Sequence, residues 1–433
     1  MNISRRLFLK RGALALATVG TMPMWGPGFL QQLVFAAEPT RGAGRKILIC
    51  VFQRGAVDGL SMVVPFADKG YYSARSEIAI AQPTQKAADE GVIDLNGFFG
   101  FHPNMSSLLP IYRSGHLAII QACGSPSSTR SHFDAQDFME CGVADNKSVS
   151  SGWLNRMLLN CPEDRAKLTP FRAVAVTPML PRSLQGECDA LAIPDLKGFG
   201  VGAATGMMPA TTTASAATGF EGMYDSAVDS ILHGTGKEAF DAIAMLKSTD
   251  PTKYKPANGA KYPNGAFGRS LMQIAQMIKA NLGLEVAFTD IGGWDTHANQ
   301  GGAQGQLANR FGEFSSGLAA LYQDLGDRMA DVVLLTMSEF GRTVRQNGNR
   351  GTDHGHATCF MVMGGAVRGG KVCGKWPGLA REQLYEGRDL MLTTDYRDVF
   401  AELAQNHFGA RSLDKIFPNF KLDARQYPGL IRA

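Results

Sequence analysis

Five short runs of the chain are apolar at nearly every position: 46–52, 117–122, 173–176, 284–288 and 331–336. Runs of this length without polar alternation, ended by Gly- or Asp-containing turns, fit strands buried on both faces, as in parallel sheets. Between and after them, apolar residues recur every three or four positions over 105–113, 132–140, 267–280, 307–329 and 396–408, the spacing of amphipathic helices. The alternation predicts a parallel sheet flanked by helices. Two stretches break the pattern: 198–222, rich in Gly, Ala, Thr and Met, and 253–264, rich in Lys, Pro, Asn and Tyr. They read as loops bounding a helical segment around 224–246, so 190–265 is expected to be a cap-like insertion in one large domain, 37–433.

The first residues follow a different logic. Ser4-Arg5-Arg6-Leu7-Phe8-Leu9-Lys10 places paired arginines before bulky apolar residues, an interrupted apolar run follows, and Val34-Phe35-Ala36 has the small-x-small pattern of a cleavage site. The expectation is a twin-arginine signal cut near Ala36, export by the twin-arginine translocase, and a periplasmic or secreted mature chain. Residues 1–36 hold Arg5, Arg6, Lys10 and Arg11 and no acidic residue, so the formal charge of +4 belongs to this segment and the mature chain is neutral. A neutral chain offers no basic footprint for nucleic acid or anionic lipid, and neither is expected as a partner. No later stretch approaches the roughly 18 consecutive apolar residues of a membrane span, so no stable anchor is expected.

Seven cysteines occur without any CxxC, which gives no support to a zinc-ribbon or thioredoxin-like site. An oxidising compartment permits disulfides such as Cys161–Cys188 or Cys359–Cys373, while the odd count leaves at least one cysteine unpaired and the sequence does not set the connectivity.

Ligands of open parallel sheets bind beyond the carboxyl ends of the strands, so the residues that follow the apolar runs carry the candidate chemistry. After the first comes Arg54-Gly55-Ala56-Val57-Asp58-Gly59, a carboxylate in a Gly-bounded turn. After the second, a hydroxyl-rich loop (Ser125, Thr129, Ser131) with Arg130 runs into a helix, where backbone N–H groups favour an anion or an activated hydroxyl. The fourth leads to Asp295-Thr296-His297, which can aim a carboxylate and an imidazole at one cation. The fifth leads to Glu339 and Arg342, and then to Asp353-His354-Gly355-His356. Imidazoles with carboxylates and no thiolate suit Zn²⁺ or Mn²⁺ better than Ca²⁺ or Mg²⁺, and the number of candidates allows one or two ions.

Taken together, Arg54-Gly55-Ala56-Val57-Asp58-Gly59, Arg130-Ser131-His132-Phe133, Gly292-Gly293-Trp294-Asp295-Thr296-His297, Ser338-Glu339-Phe340-Gly341-Arg342-Thr343 and Asp353-His354-Gly355-His356 resemble the exported bacterial family called domain of unknown function 1501. That resemblance implies membership of the alkaline phosphatase-like superfamily, with an α/β/α sandwich, a mostly parallel central sheet and a divalent-metal site at the strand ends. It implies metal ligation by Asp58, Asp295, His297, Glu339, His354 and His356. Ser131 or Thr129 would be the nucleophile, with Arg130 beside it, and Arg54 and Arg342 would bind substrate. Glu339-Phe340 stands where the superfamily has Asp-His, so a second ion's site would be weakened, rebuilt with His356, or absent. Ser125-Pro126 has the wrong spacing to Arg130 for a sulfatase motif, so no formylglycine is expected. The implied activity is hydrolysis of a phosphate or sulfate ester; the alternative is a non-catalytic metal-containing binding or assembly protein with the same fold.

Overall fold

In the computed structural model, the described residues are 45–83, 90–161, 169–196, 245 and 253–432. The signal segment 1–36 and most of the expected insertion, including 198–222 and all but Met245 of 224–246, lie outside them. No helix among the described residues is long and apolar enough to cross a membrane.

The central sheet has nine strands: β1 Ile47–Gln53, β2 Leu117–Gly124, β3 Ala173–Ala175, β4 Leu191–Ala192, β5 Val286–Ile291, β6 Val332–Met337, β7 Thr358–Gly364, β8 Lys371–Cys373 and β9 Thr394–Asp395. Their order is β8-β2-β7-β6-β1-β5-β3-β4, with β9 also paired to β2. The centre is β1, parallel to β5 on one side and β6 on the other, with Cys50 opposite Phe288 and Leu335. Its unbroken apolar run is explained by burial on both faces: Ile47, Ile49 and Val51 enter one core, and Leu48, Cys50 and Phe52 the other.

The helices α1 His132–Cys141, α2 Trp153–Asn160, α3 Ala266–Lys279, α4 Gln306–Leu325 and α5 Tyr396–Glu402 complete the layers. On the Ile49 face, α3 and α4 contribute Phe267, Leu271, Ile274, Phe311, Phe314 and Leu318 to the core, at the three- and four-residue spacing of the apolar stripe. On the Cys50 face, α2 and α5 contribute Trp153, Leu154, Met157, Val399 and Phe400, with Trp153 stacked on Phe400 at 4.3 Å between centroids. The result is a three-layer α/β/α sandwich around a mostly parallel sheet, as expected from the alternation of runs and stripes.

Three local differences have simple causes. The expected 105–113 helix is a 3₁₀ segment, Pro103–Leu108, followed by the short α-helix Leu109–Arg113. The expected 307–329 helix stops at Leu325, where Gly326 takes positive φ and a 3₁₀ turn follows. The strand β7 was not anticipated, and it runs antiparallel to both β6 and β2. The connection 338–357 contains no helix. Without a crossover the chain returns antiparallel, and the whole connection stays at the carboxyl edge of β6.

The disulfides that the sequence permits are not formed: no disulfide joins any of the seven cysteines. Cys359 lies buried within β7 while Cys373 ends the edge strand β8, on opposite sides of β2 in the sheet order.

Candidate metal centre

Because β2, β5 and β6 all run in one direction, the segments that leave them emerge along one edge, and the segment entering antiparallel β7 begins there too. Three segments therefore meet: His132 at the start of α1 after β2, Asp295 and His297 from the loop after β5, and Glu339, Arg342, Asp353 and His354 from the β6–β7 connection. Close backbone approach permits this. A Cβ on Gly351 would lie 2.3 Å from the carbonyl carbon of His297, so only glycine lets the two loops touch.

His354 Nε2 is at the centre, 3.0 Å from His132 Nε2, 3.1 Å from His297 Nε2 and 3.2 Å from Asp295 Oδ1. Asp295 Oδ1 is also 2.9 Å from His297 Nε2, and its Oδ2 is 3.6 Å from His132 Nε2. Ligand atoms around one four-coordinate Zn²⁺ with bonds near 2.0–2.1 Å are separated by about 3.3 Å. Among the described residues, His132, Asp295 and His354 form the group whose ligand atoms all lie within 4.8 Å of one another.

Each imidazole is held from behind. His132 Nδ1 donates to Glu339 Oε1 at 2.8 Å, His297 Nδ1 to Asp353 Oδ1 at 2.9 Å, and His354 Nδ1 to the Arg130 carbonyl at 2.8 Å. Carboxylates and a carbonyl only accept, so all three Nδ1 atoms carry hydrogen and all three Nε2 lone pairs face the cluster. Facing lone pairs at this separation repel unless something positive lies among them. Protons alone would have to occupy both the His132–His354 and the His297–Asp295 gaps, making two imidazolium ions. One divalent cation supplies the same charge with a single centre. Backing of ligand imidazoles by carboxylate or carbonyl is the usual support of a metal site, and the nitrogen-rich donor set fits such an ion.

The electrostatics agree. Burial opposes ionisation of Asp295, but the hydrogen bond and charge of Arg342 outweigh it and hold the carboxyl below its ordinary range. Arg342 is fully enclosed, donating to Asp295 Oδ1 at 2.7 Å and to Thr352 O at 2.6 Å. The Glu339 hydrogen bond raises the pKa of His132, whereas burial lowers that of His354. The side chains of Asp295 and His297 are each 44% exposed, so the cluster opens to solvent on that side.

The family described as protein of unknown function, DUF1501, matches residues 45–417. The chain belongs to this family. A search of curated proteins gave no match. Among solved structures, a mutant TAB5 alkaline phosphatase with Mg bound in its M3 site is similar at 12% identity, over 74% of this chain and 91% of that one, with a TM-score of 0.28. The alkaline phosphatase from the Antarctic bacterium TAB5 is similar at 11% identity with the same coverages and a TM-score of 0.27. Lipoteichoic acid synthase LtaP from Listeria monocytogenes is similar at 9% identity, over 69% of this chain and 57% of that one, with a TM-score of 0.21. Likeness at this level assigns no activity to the DUF1501 chain.

Of the residues marked by the sequence motifs, the structure gathers Asp295, His297 and His354 at the centre. Glu339, fully buried, stands behind His132 rather than facing the cluster: its Oε1 also accepts from Gly55 N at 2.8 Å and Gln136 Nε2 at 2.9 Å. Asp58 is not brought into the cluster. Its carboxylate is enclosed by Arg75 (2.6 and 3.0 Å), Ser61 (2.8 Å) and Gln300 (2.7 Å). His356 stacks on Tyr385 at 4.1 Å, away from the other imidazoles.

The three arginines all have acidic partners: Arg54 pairs with Asp290 and Glu140, Arg342 with Asp295, and Arg130 with Asp389 and Glu386. Ser131 is the N-cap residue of α1, but its side chain makes no capping bond. The Thr129 hydroxyl accepts from Ser131 N at 3.2 Å, and the buried Ser125 hydroxyl accepts from Ser127 N at 3.2 Å. Phe340 packs against the rings of His132 and His354, at 4.9 and 5.1 Å.

Sequence reasoning missed three participants. His132 stands beside Ser131 in its motif with no ligand signal of its own, Asp353 accompanies His354 without a distinct role, and Arg75 lies in no motif. The signal for His132 was its position as the first helical residue after a strand-end loop.

Proposed function

We propose that the chain is an exported metal-dependent hydrolase of phosphate or sulfate esters, working with one divalent ion, Zn²⁺ or Mn²⁺. The observation that carries this reading is the convergence of three Nδ1-anchored imidazoles on the Asp295 carboxylate. His132, His297, His354 and Asp295 would hold the ion, and Glu339, Asp353 and the Arg130 carbonyl would orient the imidazoles. Such an ion would supply Lewis-acid polarisation of a phosphoryl or sulfuryl oxygen. Ser131 directly precedes His132, caps no helix amide with its side chain and lies at the N-terminal end of α1, which makes it the favoured nucleophile over Thr129 and Ser125. The open side at Asp295 and His297 admits an ester. Asp58 and His356 have other partners and Glu339 backs His132, which favours one ion over two.

Export rests on the twin-arginine pattern of residues 4–10. It fits a site assembled from three distant segments, which can select its ion only once folded. Replacing Arg5 and Arg6 with Lys is expected to retain the protein in the cytoplasm, read by fractionation.

The test is metal analysis of the purified mature chain, with a panel of aryl phosphate, phosphodiester and aryl sulfate substrates. About one equivalent of a divalent ion and turnover abolished by Asp295→Ala are expected; less than about 0.1 equivalent after growth in metal-replete medium sinks the proposal. A second reading, the non-catalytic binding or assembly protein, is favoured by the pairing of Arg54, Arg130 and Arg342 with acidic groups. A fully loaded ion with silence across the panel would favour it.

A further inference from the structure

The Arg130 guanidinium is shared unequally between two carboxylates. Its Nη2 donates to Asp389 Oδ2 at 2.9 Å and to Glu386 Oε2 at 2.6 Å. The Asp389 side chain is fully enclosed and is also held by Arg388, whereas that of Glu386 is 54% exposed. Arg130 Nε, on the same edge, is buried with no hydrogen-bond partner. Elsewhere in this chain that edge is fully used: Arg397 gives Nε and Nη2 to the two oxygens of Asp395 at 2.9 and 2.7 Å. Arg130 therefore presents a two-donor fork that its present partners only half engage. A tetrahedral oxyanion offers two oxygens at the spacing such a fork prefers.

The placement ties this fork to the metal centre. Arg130 lies one residue before Ser131, and its carbonyl fixes His354 Nδ1. Arg388, which shares Asp389 with it, donates to the His354 carbonyl. Two guanidinium groups thus face two carboxylates, and displacement of Glu386 leaves the group one positive charge in excess.

Glu386 is an unexpected residue for its position. Tyr385 to Arg388 form a tight turn closed by Arg388 N donating to Tyr385 O at 3.1 Å, with Glu386 at φ 52° and Gly387 at φ 65°. Two consecutive left-handed residues are the mark of a type I′ turn, whose first central position favours Asn, Asp or Gly. Turn chemistry does not call for glutamate there.

We infer that Glu386 is a built-in counter-ion on an oxyanion subsite formed by Arg130, and that it swings out when a phosphate or sulfate group of the ligand takes the Nε–Nη2 fork. The inference rests on the ester-hydrolase reading for the class of ligand. It adds to it a latch that makes every anion compete with the protein's own carboxylate.

The test is calorimetric titration of inorganic phosphate, and separately of inorganic sulfate, into the metal-loaded mature chain. Glu386→Asn removes the charge while suiting the turn, and Glu386→Gln removes it with minimal change in shape. Both are expected to tighten binding of either anion about three- to fivefold, the worth of an exposed ion pair no longer opposing the ligand. The gain is expected to vanish when Arg130→Gln is added. Unchanged affinity in both single variants overturns the inference, as does a gain that persists in the double variant or the absence of any anion binding. Should Arg130→Gln fail to fold, the two single variants decide. Metal content of the same samples reads the hydrolase proposal separately, since a full complement of ion with unchanged anion affinity sinks the latch alone.

Discussion

His132 Nδ1 lies 2.8 Å from Glu339 Oε1, and that oxygen simultaneously accepts from the Gly55 amide and the Gln136 side chain. The carboxylate is thereby immobilised by β1's outgoing turn and by α1, and it fixes both the tautomer and the direction of the imidazole. Glu339→Gln preserves the shape and one accepting oxygen but removes the charge. Loss of such a backing carboxylate costs about 10- to 100-fold in metal affinity. Competition with a chromogenic chelator is expected to show that loss with little change in unfolding temperature. Unchanged affinity would mean that His132 is not a ligand or that Glu339 does not govern it.

Asp58 makes the opposite case. Its partner Arg75 is wholly enclosed and also donates to the carbonyls of Thr343 and Val344, just past Arg342. Asp58→Asn leaves that guanidinium buried without its counter-ion, which is expected to cost about 3–5 kcal/mol, while metal content stays at the wild-type level. Burial works against the ionised Asp58, yet Arg75, Ser61 and Gln300 together hold its pKa below the ordinary carboxylate value. The folded pKa is thus below the unfolded one, near 3.9, so the stabilisation is complete above that value and is lost as pH falls through the folded pKa. Urea midpoints measured from pH 7 down to pH 3 are expected to show the widest gap between wild type and variant above about pH 5 and a narrowing below about pH 4. A gap that widens on acidification would contradict the pair's assigned role.

The contrast between Asp58 and Asp295 marks how far the sequence could be read. Both are Asp residues in Gly-bounded turns after central strands, and one-dimensional reasoning gives them one role. What separates them is Arg75 and Gln300, which lie 17 and 242 residues from Asp58 along the chain and meet it only in the folded structure. The layers and the strand-end edge were legible because double-sided burial and helical stripes act locally along the chain. The antiparallel course of β7 depends on the lack of a helix in 338–357, and it brings Asp353 and His354 to the edge from the opposite direction. The motif marks Glu339 as a ligand, but its Oε1 is engaged by Gly55, His132 and Gln136, partners that no spacing rule reveals.

The free thiols give a chemical check on the fold. Cys50, Cys123, Cys141 and Cys359 are buried, and burial pushes the Cys161 thiol up to about 12. Few thiolates are therefore available at neutral pH, and reaction with a thiol reagent is expected to be slow in the native chain. Denaturation under non-reducing conditions is expected to release seven reactive thiols. Titration of five or fewer would reveal a disulfide, and a fall in unfolding temperature on adding reductant would show that it supports the fold.

Gly351 supplies a test of the site that alters no ligand. It has no side chain because a Cβ would meet the carbonyl carbon of His297 at 2.3 Å and the carbonyl oxygen of Thr296 at 2.6 Å, and both obstacles are backbone. Neither can rotate away as a side-chain tip would, so Gly351→Ala must separate the His297 loop from the segment carrying Asp353 and His354. The same backbone contact is bonded through Thr352 N donating to Thr296 O at 3.1 Å and Asn347 Nδ2 donating to His297 O at 2.9 Å. A displacement of a few tenths of an ångström is enough to disturb the approach of His354 Nε2 to His132 Nε2 at 3.0 Å and to His297 Nε2 at 3.1 Å. Gly351→Ala is therefore expected to lose at least about 10-fold in metal affinity, comparable with removing a backing carboxylate, while far-ultraviolet circular dichroism stays native. Gly348, whose added Cβ would meet nothing within 4 Å, is the matched control, and Gly348→Ala is expected to retain its ion. Equal affinities in the two variants would show that the ion, if bound, does not depend on the approach of these two loops.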